Sequence, residues 1–244
     1  MNDVLFYTHC DTKYQRFVLP FAYFALMTSP DYLVEIWMPG ANEQKGFDWL
    51  NKTFNGRAAL VESDGVNPQM ARFLVEPKTH APHTYISDID ILTLDPHVRE
   101  WHVANLDGRC FSNALRKPGP GETVPRLSGL MFVLSDAWYS LTAEARRKEY
   151  SGFDEMALAQ VAFSVYPEAE AELRAKQWAR PVHGIHMSAA RDPSGTPGKR
   201  ITNPGWEITT EWINALKQIE QHETWETFWK LADETWKQQY SRIF

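Results

Sequence analysis

The chain predicts an α/β fold, a mostly parallel sheet flanked by helices on both faces, with further helices at its C-terminal end. Three observations predict it. Short β-branched or aromatic runs alternate with segments of helical spacing over the first hundred residues, the order that parallel β/α units require. The first of those runs is β-branched or aromatic, as expected of a buried strand. And 244 residues with 43% hydrophobic and 23% charged content can bury a substantial core.

Residues 4–8 form the first strand and end in the polar cluster His9-Cys10-Asp11-Thr12. In residues 14–29, Phe17, Phe21, Phe24 and Ala25 recur at helical spacing; Pro30 stops the helix, and Pro20 bends it or marks a late start. Residues 32–38 make a second strand closed by Pro39-Gly40, residues 47–54 a short helix closed by Asn55-Gly56, and residues 58–62 a third strand. Residues 68–76 are helical, and residues 84–92 contain a strand carrying an acidic motif.

After Trp101 the pattern changes. Residues 109–113 and 127–134 read as strands around a Pro/Gly-rich loop at 117–122, and residues 136–150 and 154–176 as helices. Residues 180–200 mix His183, His186, prolines, glycines and basic residues without periodicity, which marks a functional or a disordered loop. Residues 209–244 read as one or two terminal helices. No repeat or linker divides the chain.

A net charge of −6 argues against a surface built to neutralise nucleic-acid phosphates, while a local basic pocket for a nucleotide stays open. The two cysteines, Cys10 and Cys110, fit a reducing compartment better than a disulfide framework. The N-terminus lacks a basic region followed by a long apolar stretch, and no later segment approaches 18 uninterrupted apolar residues. The expectation is a cytoplasmic protein without a transmembrane segment.

The sharpest chemical signal is Tyr85-Ile86-Ser87-Asp88-Ile89-Asp90-Ile91-Leu92, two carboxylates in apolar sequence at a strand's end. Neighbouring buried carboxylates raise each other's pKa, and a hard divalent cation keeps both ionised. Oxygen ligands favour Mn²⁺ or Mg²⁺ over zinc. The plainer alternative is two aspartates that cap local backbone amides.

The wider order of motifs resembles the GT-A glycosyltransferases, a Rossmann-like fold, and among them glycosyltransferase family 8, the glycogenin and galactosyltransferase-like group. An Arg-bearing helix, Ala71-Arg72-Phe73, precedes the Asp-x-Asp strand; Leu127-Ser128-Gly129-Leu130 is similar to the family's small-residue-plus-glycine strand, with Ser128 where Asn is commoner. Phe153-Asp154-Glu155 looks like the Asp-Gln pair that opens a helix, with Glu155 replacing Gln. His183-Gly184-Ile185-His186 is the candidate for the family's metal-binding His, although its following Lys-Pro pair is absent.

What the resemblance implies is a metal-dependent, retaining hexosyltransferase that moves a sugar from a nucleotide-diphosphate sugar to a glycan, lipid-linked or other hydroxyl acceptor. Asp88, Asp90 and His186 would hold Mn²⁺ or Mg²⁺, with His183 as the fallback ligand. Thr8, Asp11, Arg72, Ser87, Asp88, Ser128 and Gly129 would meet the donor, with Arg191, Lys199 or Arg200 as candidates for the diphosphate and Asp154 orienting sugar or acceptor hydroxyls. Asp154, Asp88 and Asp90 form the catalytic set. On the same implication the chain is one catalytic domain: residues 1–100 bind the nucleotide, 101–200 supply the acceptor and metal side, and 201–244 are a helical extension.

Each residue has a plainer alternative: an exposed helix charge for Arg72, an N-cap for Asp154, core for Tyr14. Trp225, Phe228, Trp229, Trp236 and Tyr240 mark one helical face, which implies core packing or a homo-oligomer contact, with a peripheral membrane contact as the minor reading. Two other functions compete. A haloacid-dehalogenase-like phosphatase also uses Asp-x-Asp, but wants Thr or Val where Leu92 stands; a non-catalytic nucleotide-sugar-binding protein would keep every residue named.

Overall fold

A computed structural model describes residues 3–41, 44–63, 67–116, 125–150, 154–176, 182–187 and 208–243. Its centre is a six-stranded sheet in the order β3-β2-β1-β4-β9-β6. The first strands are β1 (Val4–His9), β2 (Tyr32–Met38), β3 (Ala58–Glu62) and β4 (His83–Ile86), paired in parallel with Phe6 opposite both Val34 and Tyr85. β4 then pairs antiparallel with β9 (Met131–Leu134), which pairs antiparallel with β6 (Phe111–Ser112). Every residue of β1 is buried, which is why its sequence is apolar without alternation.

One face is covered by α1 (Val18–Thr28) and by three C-terminal helices, α8 (Thr210–Glu220), α9 (Trp225–Leu231) and α10 (Glu234–Tyr240). The sequence predicted at most two; Ala232 at the end of α9 is extended, and Asp233 caps α10. α1 is buried from Val18 to Leu26 because it lies between sheet and outer helices. Tyr23 stacks on Phe228 at 3.9 Å between centroids, and Phe24 meets Trp236 and Tyr240. The aromatic face of the C-terminal segment is therefore core packing, with Trp225 and Trp229 partly buried beside it.

The opposite face is covered by α3 (Pro68–Leu74), α5 (Ser135–Leu141), α6 (Asp154–Val165) and α7 (Ala169–Lys176), whose Phe73, Trp138, Leu158 and Leu173 share a second apolar cluster. Shorter elements complete the described chain: α2 (Phe47–Thr53), α4 (Val98–Val103), β5 (Ile91–Thr93), the pair β7 (Leu115–Arg116) with β8 (Arg126–Leu127), and β10 (Gly184–His186). The GT-A-type α/β arrangement read from the sequence is the fold observed.

Several boundaries differ. The helix expected from residue 14 begins as a 3-10 turn, Thr12–Phe17, and becomes α-helical at Val18, so Pro20 marks a late start in the first turn, where its missing N–H costs nothing. The strand expected over 127–134 is broken, with Ser128-Gly129-Leu130 between β8 and β9. The helix expected over 136–150 ends at Leu141, with a 3-10 turn, Ala145–Arg147, beyond; the one over 154–176 divides around Pro167, whose ring cannot continue an α-helix. Residues 117–124 and 188–207, including Ser188, Arg191, Lys199 and Arg200, lie outside the described residues.

Candidate metal centre

β4 runs parallel to β1 and ends at Ile86, so the next residues emerge at the carboxyl edge of the sheet, where open α/β sheets bind ligands. The Ser87 amide still donates to the Tyr7 carbonyl (3.1 Å), and the Ile91 amide to the Asp88 carbonyl (3.3 Å). Asp88-Ile89-Asp90 is thus a tight turn between β4 and β5, at the end of the strand as the sequence placed it.

β10 closes the site from far down the chain. It pairs antiparallel with β5, setting His186 opposite Ile91 and Gly184 opposite Thr93, and the Met187 amide donates to the Asp90 carbonyl (2.8 Å). Gly184 is required: with φ of +153°, an added Cβ would lie 2.0 Å from the Leu92 carbonyl oxygen.

Asp88, Asp90 and His186 each offer a ligand atom within 4.8 Å of the others. His186 Nε2 stands 3.5 Å from Asp88 Oδ2, and its Nδ1 3.6 Å from Asp90 Oδ2. Asp90 and His186 are buried, Asp88 half-buried. Neighbouring ligands of one octahedral Mn²⁺ or Mg²⁺ sit about 3 Å apart, so small side-chain shifts complete a cage. Two carboxylates and an imidazole are a donor set that Mn²⁺ accepts.

Arg72 supplies the local countercharge. It is buried on α3, its Nη1 contacting Asp88 Oδ1 and the Ser87 carbonyl (3.3 Å) and its Nη2 the Asp154 carboxylate (3.0 Å). Burial alone would lower the Arg72 pKa, but the two aspartates outweigh it and the net shift is upward. An exposed charge is excluded by the burial. Asp154 begins α6, so one guanidinium ties the acidic turn to the opposite wall.

Gly129 makes room for this, since a Cβ there would lie 2.9 Å from Arg72 Nη2 and 3.6 Å from Asp88 Oδ1. Its amide donates to Glu155 (3.2 Å), whose carboxylate also binds Arg116 at 2.7 Å. Ser128 faces inward: its amide donates to Asn113 Oδ1 (3.0 Å), and its hydroxyl accepts from the Leu130 amide (3.1 Å). Asn113 and Arg116 escaped sequence reasoning, which had no pattern linking them to residues 128–155; both precede the Pro/Gly-rich loop at 117–122.

The loop after β1 is more constrained than expected. Thr8 is fully buried, Asp11 Oδ1 already accepts from the Tyr14 amide at the 3-10 turn (3.1 Å), and Tyr14 packs partly buried against the core. His9 hydrogen-bonds Tyr7 (2.6 Å) and stacks on Trp37; burial first, then Arg72, lower its pKa to about 3. Burial, with Asp11 adding, raises the Cys10 thiol to about 12, so it is no nucleophile.

His183, the fallback ligand, is turned away. Its Nδ1 meets Asp95 (2.7 Å), its Nε2 meets His102 Nε2 (3.0 Å), and His102 Nδ1 meets Ser112 Oγ (3.0 Å). The chain is satisfied when Ser112 donates to His102, His102 to His183 and His183 to Asp95. It anchors β10 three residues before His186. Burial, then His183, hold the His102 pKa well below the usual range; burial would raise Asp95, but hydrogen bonds from His183 and the His97 amide leave it lowered.

No family model and no curated protein matches the chain. Solved structures do. An active-site mutant of the galactosyltransferase LgtC superposes with a TM-score of 0.51 at 12% identity, covering 97% of this chain and 99% of that one. The glycosyltransferase GlyE of Streptococcus pneumoniae TIGR4 gives 0.48 at 10% identity over 99% of this chain and 63% of that one. The 4-diphosphocytidyl-2C-methyl-D-erythritol synthase of Anaerococcus prevotii gives 0.47 at 8% over 68% and 83%. Of these three, the LgtC likeness carries weight, and at its identity it speaks for the fold alone.

Proposed function

We propose that the chain is a metal-dependent glycosyltransferase that moves a sugar, as a retaining hexosyltransferase, from a nucleotide-diphosphate sugar to a hydroxyl acceptor on a glycan or lipid-linked molecule. The observation that carries it is the convergence of Asp88, Asp90 and His186 at the carboxyl edge of the sheet, Asp90 and His186 buried and His186 delivered from about a hundred residues away. Sequence distance makes that meeting costly to assemble by chance; the GT-A-type fold supplies the context.

Asp88, Asp90 and His186 would hold Mn²⁺ or Mg²⁺, which when bound neutralises charge developing on the departing nucleoside diphosphate. Asp88 divides its oxygens, Oδ1 to Arg72 and Oδ2 toward His186, so Arg72 fixes its rotamer. Asp154, held by Arg72 Nη2, orients donor-sugar or acceptor hydroxyls from the opposite wall. The donor would lie over the wall that Ser87, Ser128 and Gly129 build, with the base toward the loop that carries Asp11; Thr8, Ser87 and Ser128 are fully buried and would shape that wall from within. A cytoplasmic site of action, with the acceptor reached at the membrane periphery or in solution, completes the reading. Residues 1–100 and 101–200 then contribute one carboxylate pair and one imidazole to a single centre. A nucleophilic Asp88 of the phosphatase kind is disfavoured by its ion pair with Arg72.

The test is a panel of nucleotide sugars with Mn²⁺ against the melting temperature, with released nucleoside diphosphate as a second readout. At least one donor raises the melting temperature in the wild type and none does in Asp90→Ala. No shift from any donor, together with phosphatase activity lost in Asp88→Asn, would overturn the reading.

A further inference from the structure

A second cavity, of about 480 Å³, lies between the 3-10 turn Thr12–Phe17, the loop leading into α2 and the turn joining α9 to α10. It shares no residue with the Asp88, Asp90 and His186 cluster. Among the described residues, Lys13, Arg16 and Lys45 line it against a single carboxylate, Asp233. That carboxylate is already engaged, accepting from the Thr235 (2.8 Å) and Trp236 (3.1 Å) amides at the start of α10.

Surface lysines alone would be an ordinary solvated rim. What distinguishes the cavity is a surplus of buried donors: Arg16 Nε and Gln44 Nε2, both on lining residues, have no acceptor among the described residues. Buried N–H groups are nearly always paired, because leaving one unpaired forfeits its hydration without return. Arg16 is half-buried, and its Nε is the atom shut from water. Its Nη1 donates to the Lys13 carbonyl (3.0 Å), and its guanidinium lies over the Phe17 ring at 4.9 Å. Leu19 and Leu231 form the apolar wall, packed so closely on Gly46 that an added Cβ would meet them at 3.2 and 3.1 Å.

We infer that this cavity binds a phosphate group. A phosphate is acceptor-only, carries the charge that Lys13, Arg16 and Lys45 complement, and supplies oxygens to both unpaired donors at once. The apolar wall suits either a free phosphorylated small molecule or the headgroup of a phospholipid. The binding is independent of the transfer reaction proposed above.

The test uses inorganic phosphate on the full chain in a chelator, at matched ionic strength, so that the Asp88–Asp90–His186 centre is silent. Phosphate should raise the melting temperature of the wild type and of Asp90→Ala alike. In Arg16→Gln/Lys45→Gln its affinity should fall by about tenfold or more. Lys45→Glu, a change at an exposed residue, should weaken binding too and guards against misfolding of the double variant. A second arm measures flotation with vesicles of phosphatidic acid in phosphatidylcholine against phosphatidylcholine alone. Flotation that depends on Arg16 and Lys45 assigns the phosphate to a lipid, and a shift with inorganic phosphate without flotation assigns it to a soluble ligand. The inference fails if neither arm responds, if the double variant responds as the wild type does, or if Asp90→Ala abolishes the response.

Discussion

The two sides of this sheet are built on opposite terms. The layer of α1 with α8–α10 is held by apolar burial: Tyr23, Phe24, Phe228, Trp236 and Tyr240 fill one cluster in which every ring has several neighbours. The carboxyl edge is held by charge, with Arg72 bridging Asp88 and Asp154 while His186 faces both aspartates of the turn. Losing a ring from the first leaves a cavity that neighbours partly refill. Losing a charge from the second leaves its partner buried and uncompensated. The contrast separates parts of the molecule built to be stable from parts built to bind.

The largest effects test that contrast directly. Phe228→Ala and Arg72→Leu should each cost about 3–5 kcal/mol, the first by cavity, the second by stranding two carboxylates. They differ in rescue. Mn²⁺ should restore much of the stability lost in Arg72→Leu, because it replaces the missing countercharge, and little of that lost in Phe228→Ala. Thermal melts with and without Mn²⁺ decide; equal rescue breaks the comparison.

A smaller effect concerns geometry without a change of charge. Gly184→Ala forces a Cβ against the Leu92 carbonyl, so β10 should part from β5 and carry His186 away. Mn²⁺ affinity by titration should fall by about tenfold to a hundredfold, as when support for a ligand is lost. Trp229→Ala, in the aromatic layer, should leave it unchanged.

The smallest effect is acid sensitivity. His9, lowered to about 3 by burial and Arg72, and His102, well below its usual range, stay neutral in the fold. Below about pH 6.5 the unfolded chain binds protons that the folded chain refuses, so stability falls as pH drops through that value, and for His9 continues to fall toward about 3. By about pH 5 the His9 contribution is a loss of about 2 kcal/mol, and His102 acts in the same direction. Asp95 works in the other range, its stabilisation being lost only as pH falls below about 3.8, through its lowered folded value. Melts in chelator should show a slope between about pH 7 and 5 that His9→Gln reduces and Phe228→Ala preserves.

Much of this was legible in the residues. The strands Tyr32–Met38 and Ala58–Glu62 and the helix starts at Phe47, Pro68 and Asp154 follow from local apolar runs and from Pro, Gly and Asp punctuation. The acidic turn stood out because two carboxylates in apolar sequence demand a counterion. Harder to read were Asn113 clamping Ser128, Arg116 binding Glu155, and the division of labour between two histidines three residues apart. Nothing local distinguishes His183 from His186; the first takes a left-handed backbone and joins Asp95 and His102, the second continues into the strand.

By itself, then, the sequence determined the α/β order, the aromatic stripe of the C-terminal segment and the position of the acidic motif, because each depends on neighbours within a few residues. Tertiary structure decided that Arg72 bridges Asp88 and Asp154, and it sets His186, the ligand the resemblance implied, facing the aspartates while His183 turns away. Those outcomes depend on the pairing of β10 with β5 and on space left by missing Cβ atoms at Gly129 and Gly184. Such long-range geometry is set by the packing of the whole chain and leaves no periodic trace along it.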